Sequence, residues 1–242
     1  MKILAILATL ACAAGLSAAV QKNDLDIKAP DGTTLKGTYF TSGRSGPAML
    51  LIHQCNMDRH AWDGLAMDLA SSGISVLTYD NRGFGESGGS KSTEPDTKAA
   101  ERKKWPADVD AAYAALLAQK GVDSTRIAVG GASCGVTMSS DLASRHPDIK
   151  ALMILSGRAS DAAREHIAND KSLAVFGAAS SGDTGAAEGI RAAEGESKNP
   201  KSVLKIYDGD EHGVPMFAKH SELEPMIVNW LRGQLSSTGG TH

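Results

Sequence analysis

Two periods alternate along this chain: short apolar runs of strand length recur between longer stretches whose apolar residues return every three or four positions. Residues 24–30 and 34–40 alternate apolar and polar side chains and predict two strands, with Asp31-Gly32 between them as a hairpin turn signal. Residues 47–53 are continuously apolar, as expected of a strand buried on both faces. Helical spacing over 58–72 places Trp62, Leu65, Met67 and Leu69 among its apolar positions, and 74–79 predicts another buried strand. Residues 86–105 are polar and rich in Gly, Ser, Thr and Lys, which predicts a long surface loop. Pro106 opens a predicted helix that runs to about Lys120.

The second half repeats the alternation. A strand over 126–129 is followed by a helix to about His146, strands over 151–155 and 173–176 flank a helix over 161–169, and a helix over 186–196 leads to a last strand at 203–207 and a closing helix at 223–235. Strands alternating with helices imply an α/β fold: a mostly parallel sheet of about eight strands with helices on both faces. Only 14 residues separate Gly157 from Ser172, which leaves no room for a cap domain.

Composition narrows the class. A chain of 242 residues, 42% hydrophobic and 22% charged, suits one globular domain with a substantial core. The net charge of -3 and the absence of a basic stripe make nucleic acid an unexpected partner. The cluster Arg102-Lys103-Lys104, flanked by Glu101 and Asp108, reads as solvated surface. The first residues read as a leader. Lys2, an apolar stretch over 3–16 and the small residues Ser17-Ala18-Ala19 form a charged region, an apolar region and a cleavage site, so residues 1–19 are expected to be a signal peptide and 20–242 the domain. The apolar stretch is shorter than the roughly 20 residues a membrane span needs, so no stable insertion is expected after cleavage. That places the protein in the periplasm or outside the cell, with Cys12 removed and Cys55 and Cys134 retained where disulfides persist.

The chemistry centres on Gly131-Ala132-Ser133-Cys134-Gly135, a G-x-S-x-G sequence between a strand and a helix. A serine on such a turn adopts a strained backbone that lifts its hydroxyl clear of the sheet, and small neighbours two residues away make the turn possible. Ser133 then needs a base, and the base an orienting acid, in the chain order serine, acid, histidine. His212, in Asp208-Gly209-Asp210-Glu211-His212-Gly213, follows the last strand and is the expected base. Asp183, in Ser180-Ser181-Gly182-Asp183-Thr184, is the expected acid, although the same position suits a helix N-cap. Asp208 and Asp210 sit too close in sequence to His212 to reach around its ring. No metal-binding spacing, phosphate loop or dinucleotide fingerprint occurs, so no metal or cofactor is expected.

With these residues in place, the chain resembles an α/β-hydrolase of the dienelactone-hydrolase-like or small serine esterase group. Leu51-Ile52-His53-Gln54, the segment Asp80-Asn81-Arg82-Gly83-Phe84-Gly85-Glu86-Ser87, the elbow and the His212 loop carry the resemblance. Two departures stand out. The family usually has His-Gly where this chain has His53-Gln54, and dienelactone hydrolases carry cysteine at the nucleophile position. Here the cysteine falls one residue late, and Val136 rather than glycine stands two residues beyond it, so Ser133 keeps the nucleophile role. The resemblance implies an oxyanion hole made by the backbone N–H groups of Cys55 and Cys134. Two amides converging on one oxygen would bring both Cα atoms within disulfide range, so a Cys55–Cys134 bond is expected, closing a loop of about 80 residues for about 4 kcal/mol in the chain-entropy model. The implied activity is hydrolysis of short-chain or accessible carboxylic esters through an acyl-enzyme, with a small-molecule ester as partner. The alternatives are a peptidase, an amidase or a thioesterase on the same fold, or a non-catalytic binding protein.

Overall fold

The computed structural model describes residues 19–236, and the leader expected at 1–19 lies almost wholly outside the described residues. Eight strands build one sheet: β1 (Gln21–Lys28), β2 (Thr34–Thr41), β3 (Gly46–Ile52), β4 (Ser75–Tyr79), β5 (Val122–Ala132), β6 (Ile149–Leu155), β7 (Ala174–Ser180) and β8 (Val203–Tyr207). Their spatial order is β1-β2-β4-β3-β5-β6-β7-β8. The β1–β2 and β2–β4 pairs are antiparallel, and all pairs from β4 to β8 are parallel. The crossovers are helical: α1 (Asp63–Ser71), α2 (Pro95–Arg102), α3 (Trp105–Leu117), α4 (Cys134–Arg145), α5 (Asp161–Asn169), α6 (Thr184–Gly195), α7 (Met216–Lys219) and α8 (Leu223–Gln234). None is long and apolar enough to cross a membrane.

Alternation along the central strands feeds two cores. Leu50 and Ile52 of β3 pack with Val109, Tyr113 and Leu116 of α3 and with Val136 and Leu142 of α4. Met49 and Leu51, one residue out of phase, pack on the other face with Leu65 and Leu69 of α1 and with Leu223, Ile227 and Leu231 of α8. Fully burying one such side chain is worth about 1.5–3 kcal/mol, so each face is firmly held. Between β6 and β7 the chain carries only α5, and no cap covers the carboxyl edge of the sheet among the described residues.

Two stretches depart from expectation. Residues 86–105 are not loop throughout, because Pro95–Arg102 form the short helix α2. Pro95 stands in its first turn, where a missing N–H costs nothing, and Asp96 favours the same end. The helix buries no residue, so it left no apolar period to read. Strand β5 is also longer than its buried apolar part, since Val122 and the polar residues Asp123–Arg126 lie in the half-exposed approach to the sheet.

Candidate active site

The elbow is built by steric exclusion. Strand β5 turns into α4 at Ser133, whose φ of 54° and ψ of −118° fall where L-residues are strained. A Cβ on Gly131 would collide with the carbonyl oxygen of Gly135, and one on Gly135 would collide with the carbonyl oxygen of Ile52. Glycine is required at both places by close backbone approach. The Ser133 N–H donates to Leu155 O at 2.9 Å, fixing the turn to β6. Ser133 lies at the N-terminus of α4, where helix geometry favours developing negative charge.

The expected acid and base meet. His212 Nδ1 lies 2.5 Å from Asp183 Oδ2, although 29 residues separate them. Asp183 does occupy the N-cap position of α6, but its carboxylate makes no cap hydrogen bond and turns to the imidazole instead. The two loops that carry this pair are sewn together: Ser180 Oγ donates to Glu211 O at 2.8 Å, and the Gly182 N–H donates to Gly209 O at 2.7 Å. Asp208 and Asp210 make no side-chain hydrogen bond to His212. Ser133, Asp183 and His212 line one open cleft of about 280 Å³, together with Thr137, Ser156 and Arg158. Ser133 Oγ and His212 share the cleft without a direct hydrogen bond between them.

The cysteines are bonded. Cys55 and Cys134 form a disulfide with their Cα atoms 5.9 Å apart, joining the loop after β3 to the first residue of α4. Among the described residues, the backbone N–H groups of Cys55 and Cys134 have no hydrogen-bond acceptor. Cys134 lines the cleft with Ser133, while Cys55 lines a second, more enclosed cavity of about 180 Å³ together with Phe84, Trp105, Lys98 and Arg102. The two halves of the disulfide thus line different cavities.

The resembling motifs have structural duties. His53 is wholly buried: its Nδ1–H donates to Gln54 O at 2.8 Å, and its Nε2 accepts from the Asn81 N–H at 2.9 Å. Those two bonds need the neutral ring, and burial holds the His53 pKa below its ordinary value. Arg82 grips Asp108 in α3 at 2.7–2.8 Å and Asp31 in the hairpin turn at 2.6 Å, which anchors the segment after β4. Asp80 accepts from the backbone N–H groups of Arg59 and Glu86, and Gly85, at φ 48°, passes so close that a Cβ there would strike this carboxylate. One buried residue was visible only as a departure from the family pattern. Gln54 accepts the Val214 N–H at 2.9 Å across 160 residues of sequence, two positions beyond His212. A second strained residue, Ser156 at φ 47°, escaped the sequence reading because nothing local marks it.

The match to a known family covers residues 47–177 and is described as alpha/beta hydrolase fold. The chain belongs to that family. The matched segment runs from β3 through the elbow to β7, so it contains Cys55, Ser133 and Cys134. This hydrolase-fold chain is 37% identical over 126 residues to an uncharacterized protein of Mycobacterium tuberculosis, spanning 51% of this chain and 42% of that protein. It is 30% identical over 112 residues to a thiohydrolase of Aspergillus aculeatus, spanning 46% of this chain and 34% of the other. The chain thus spans less than half the length of the curated relatives it matches. Among solved structures, an esterase of Pyrococcus furiosus superposes with a TM-score of 0.72 at 18% identity, covering 90% of this chain and 95% of the esterase. At that identity the likeness speaks for the fold.

Proposed function

We propose that this protein is a serine hydrolase that cleaves small carboxylic esters through an acyl-enzyme. The observation that carries the reading is the 2.5 Å contact between His212 Nδ1 and Asp183 Oδ2 on the cleft that also holds the strained Ser133. In the proposed reaction, Ser133 Oγ attacks the ester carbonyl carbon while its proton passes to His212 Nε2. Asp183 fixes the ring with Nδ1 protonated and stabilises the imidazolium. The carbonyl π electrons move to oxygen, and the free N–H groups of Cys55 and Cys134 receive that oxyanion. Collapse breaks the bond to the alcohol, which takes the proton from His212, and water then repeats the sequence on the acyl-Ser133. The Ser133–His212 hydrogen bond forms on substrate binding, as catalytic contacts commonly tighten only in the Michaelis complex.

The open cleft of about 280 Å³ favours small or solvent-displayed esters over long acyl chains. Export to the periplasm or beyond is part of the proposal, supported by the charged and apolar segments at 1–19 and by a disulfide that suits an oxidising compartment. The similarity to a thiohydrolase favours thioesters as a second substrate class.

The test is labelling with a fluorophosphonate probe alongside hydrolysis of p-nitrophenyl acetate and a matched phenyl thioacetate. The expected outcome is labelling at Ser133 and hydrolysis, with both lost in Ser133→Ala. Labelling or turnover that survives Ser133→Ala refutes the assignment, and the ratio of the two rates decides between ester and thioester.

A further inference from the structure

The base and the nucleophile sit on loops far apart in sequence, and one side chain ties them together. Gln54 is buried to 1% exposure, at the place where the resembled family has glycine. Its Oε1 accepts the Val214 N–H at 2.9 Å, and its Nε2 donates to Asn56 Oδ1 at 2.7 Å, which fixes the plane of the carboxamide. Gly213 runs directly beside it at φ 72°, and a Cβ there would collide with Gln54 Oε1. Glycine at 213 is thus demanded twice, by its left-handed backbone and by the carboxamide lying against it. The next residue after Gln54 is Cys55, which is covalently bound to Cys134, the neighbour of Ser133. A continuous path therefore runs from the Val214 amide through Gln54, Cys55 and Cys134 to Ser133. Every link in it is a covalent bond except the Gln54–Val214 hydrogen bond.

We propose that Gln54 is a positioning residue, whose carboxamide sets the His212 loop against the oxyanion loop and so fixes the distance between base and nucleophile. The proposal rests on the reading of His212 as the base. The His212 ring is held by Asp183 and the backbone on its N-terminal side by Ser180 at Glu211 O, but the side chain is 44% exposed. Those ties lead to the Asp183 loop, whereas Gln54 ties the C-terminal side to the oxyanion loop. A glycine at 54 could not supply that tie. The hydrogen bond is worth little to overall stability, because the same groups bond to water in the unfolded chain. Its effect on rate is larger, because a catalytic group displaced by about 1 Å can lose about 100-fold.

Two variants of the full, oxidised chain test this. Gln54→Met keeps the length and volume of the side chain but removes the acceptor, whereas Gln54→Glu keeps an acceptor oxygen for Val214. The expected result for Gln54→Met is a kcat lower by about 10–100-fold with KM unchanged, and faster hydrogen exchange at the Val214 amide. Gln54→Glu should return most of the lost kcat and the Val214 protection. A Gln54→Met protein with wild-type kcat overturns the proposal. So does a loss of kcat matched in both variants and accompanied by unchanged Val214 exchange, which would mark a packing role only. If the wild type hydrolyses no ester, the assignment of the reaction fails separately. The Val214 exchange and the imidazole resonances of His212 still decide the positioning role, and wild-type behaviour of both in Gln54→Met refutes it.

Discussion

Ser133 and His212 face the same cleft but are held there by different physics. The elbow is placed by exclusion: Gly131 and Gly135 leave no volume for a side chain, the Ser133 N–H is bound to β6, and a disulfide pins the next residue. His212, the proposed base, is placed by hydrogen bonds between loops. His212 is 44% exposed and Asp183 21% exposed, and the ties around them are Ser180 to Glu211, Gly182 to Gly209 and Gln54 to Val214. Exclusion is insensitive to solvent and to charge, whereas hydrogen bonds at a loop edge compete with water. Damage on the elbow side should therefore appear as lost stability, and damage on the base side as lost rate.

Three experiments can break that contrast. The largest effect expected is from Asp183→Asn, which removes the carboxylate from His212 without changing the size of the side chain. The proposed mechanism puts the loss of kcat at about 10⁴-fold, with a melting temperature close to wild type. A large fall in melting temperature would show that the base side carries stability after all. Next comes the paired Cys55→Ala and Cys134→Ala protein, expected to lose about 2–5 kcal/mol in denaturant unfolding. Its residual kcat, measured well below the new midpoint, should fall less than that of Asp183→Asn. Wild-type stability in this variant would remove the covalent brace from the argument.

The smallest effect concerns pH. His53 supports the loop after β3 only as a neutral ring, because protonation of Nε2 would set an N–H against the Asn81 N–H. Burial holds its folded pKa below the ordinary 6.5, so the unfolded chain takes up the proton first. The His53 contribution is therefore present above pH 6.5 and is lost as pH falls from there through the lower folded value. Unfolding midpoints between about pH 7.5 and 5.5 should drop further for the wild type than for His53→Gln. Equal slopes would mean that His53 carries no linkage.

Much of this was legible in the sequence for a physical reason. The parallel strands are buried on both faces, so Met49–Ile52 and Leu152–Leu155 announce themselves by composition. The glycines of the elbow are readable because sterics at Ser133 act within five residues. Helix α2 was not, since it buries nothing and so carries no apolar period. The pairing of Asp183 with His212 followed from chain order, while its geometry needed two loops to come together. Gln54 was visible as an oddity, but its partner lies 160 residues away and no local pattern connects them.

The disulfide has one more consequence, topological rather than catalytic. With its cysteines 79 positions apart in sequence, it closes a covalent ring that contains α1, β4, α2, α3 and β5. The ring begins just after β3 and ends just past β5, and those two strands are neighbours in the sheet. Most of the polar stretch Ser90–Glu94 is exposed, and it lies inside the ring. A backbone cut there would turn the ring into a linear chain without releasing either half. The nicked molecule would stay one particle until it is reduced, with both halves still gripping the centre of the sheet.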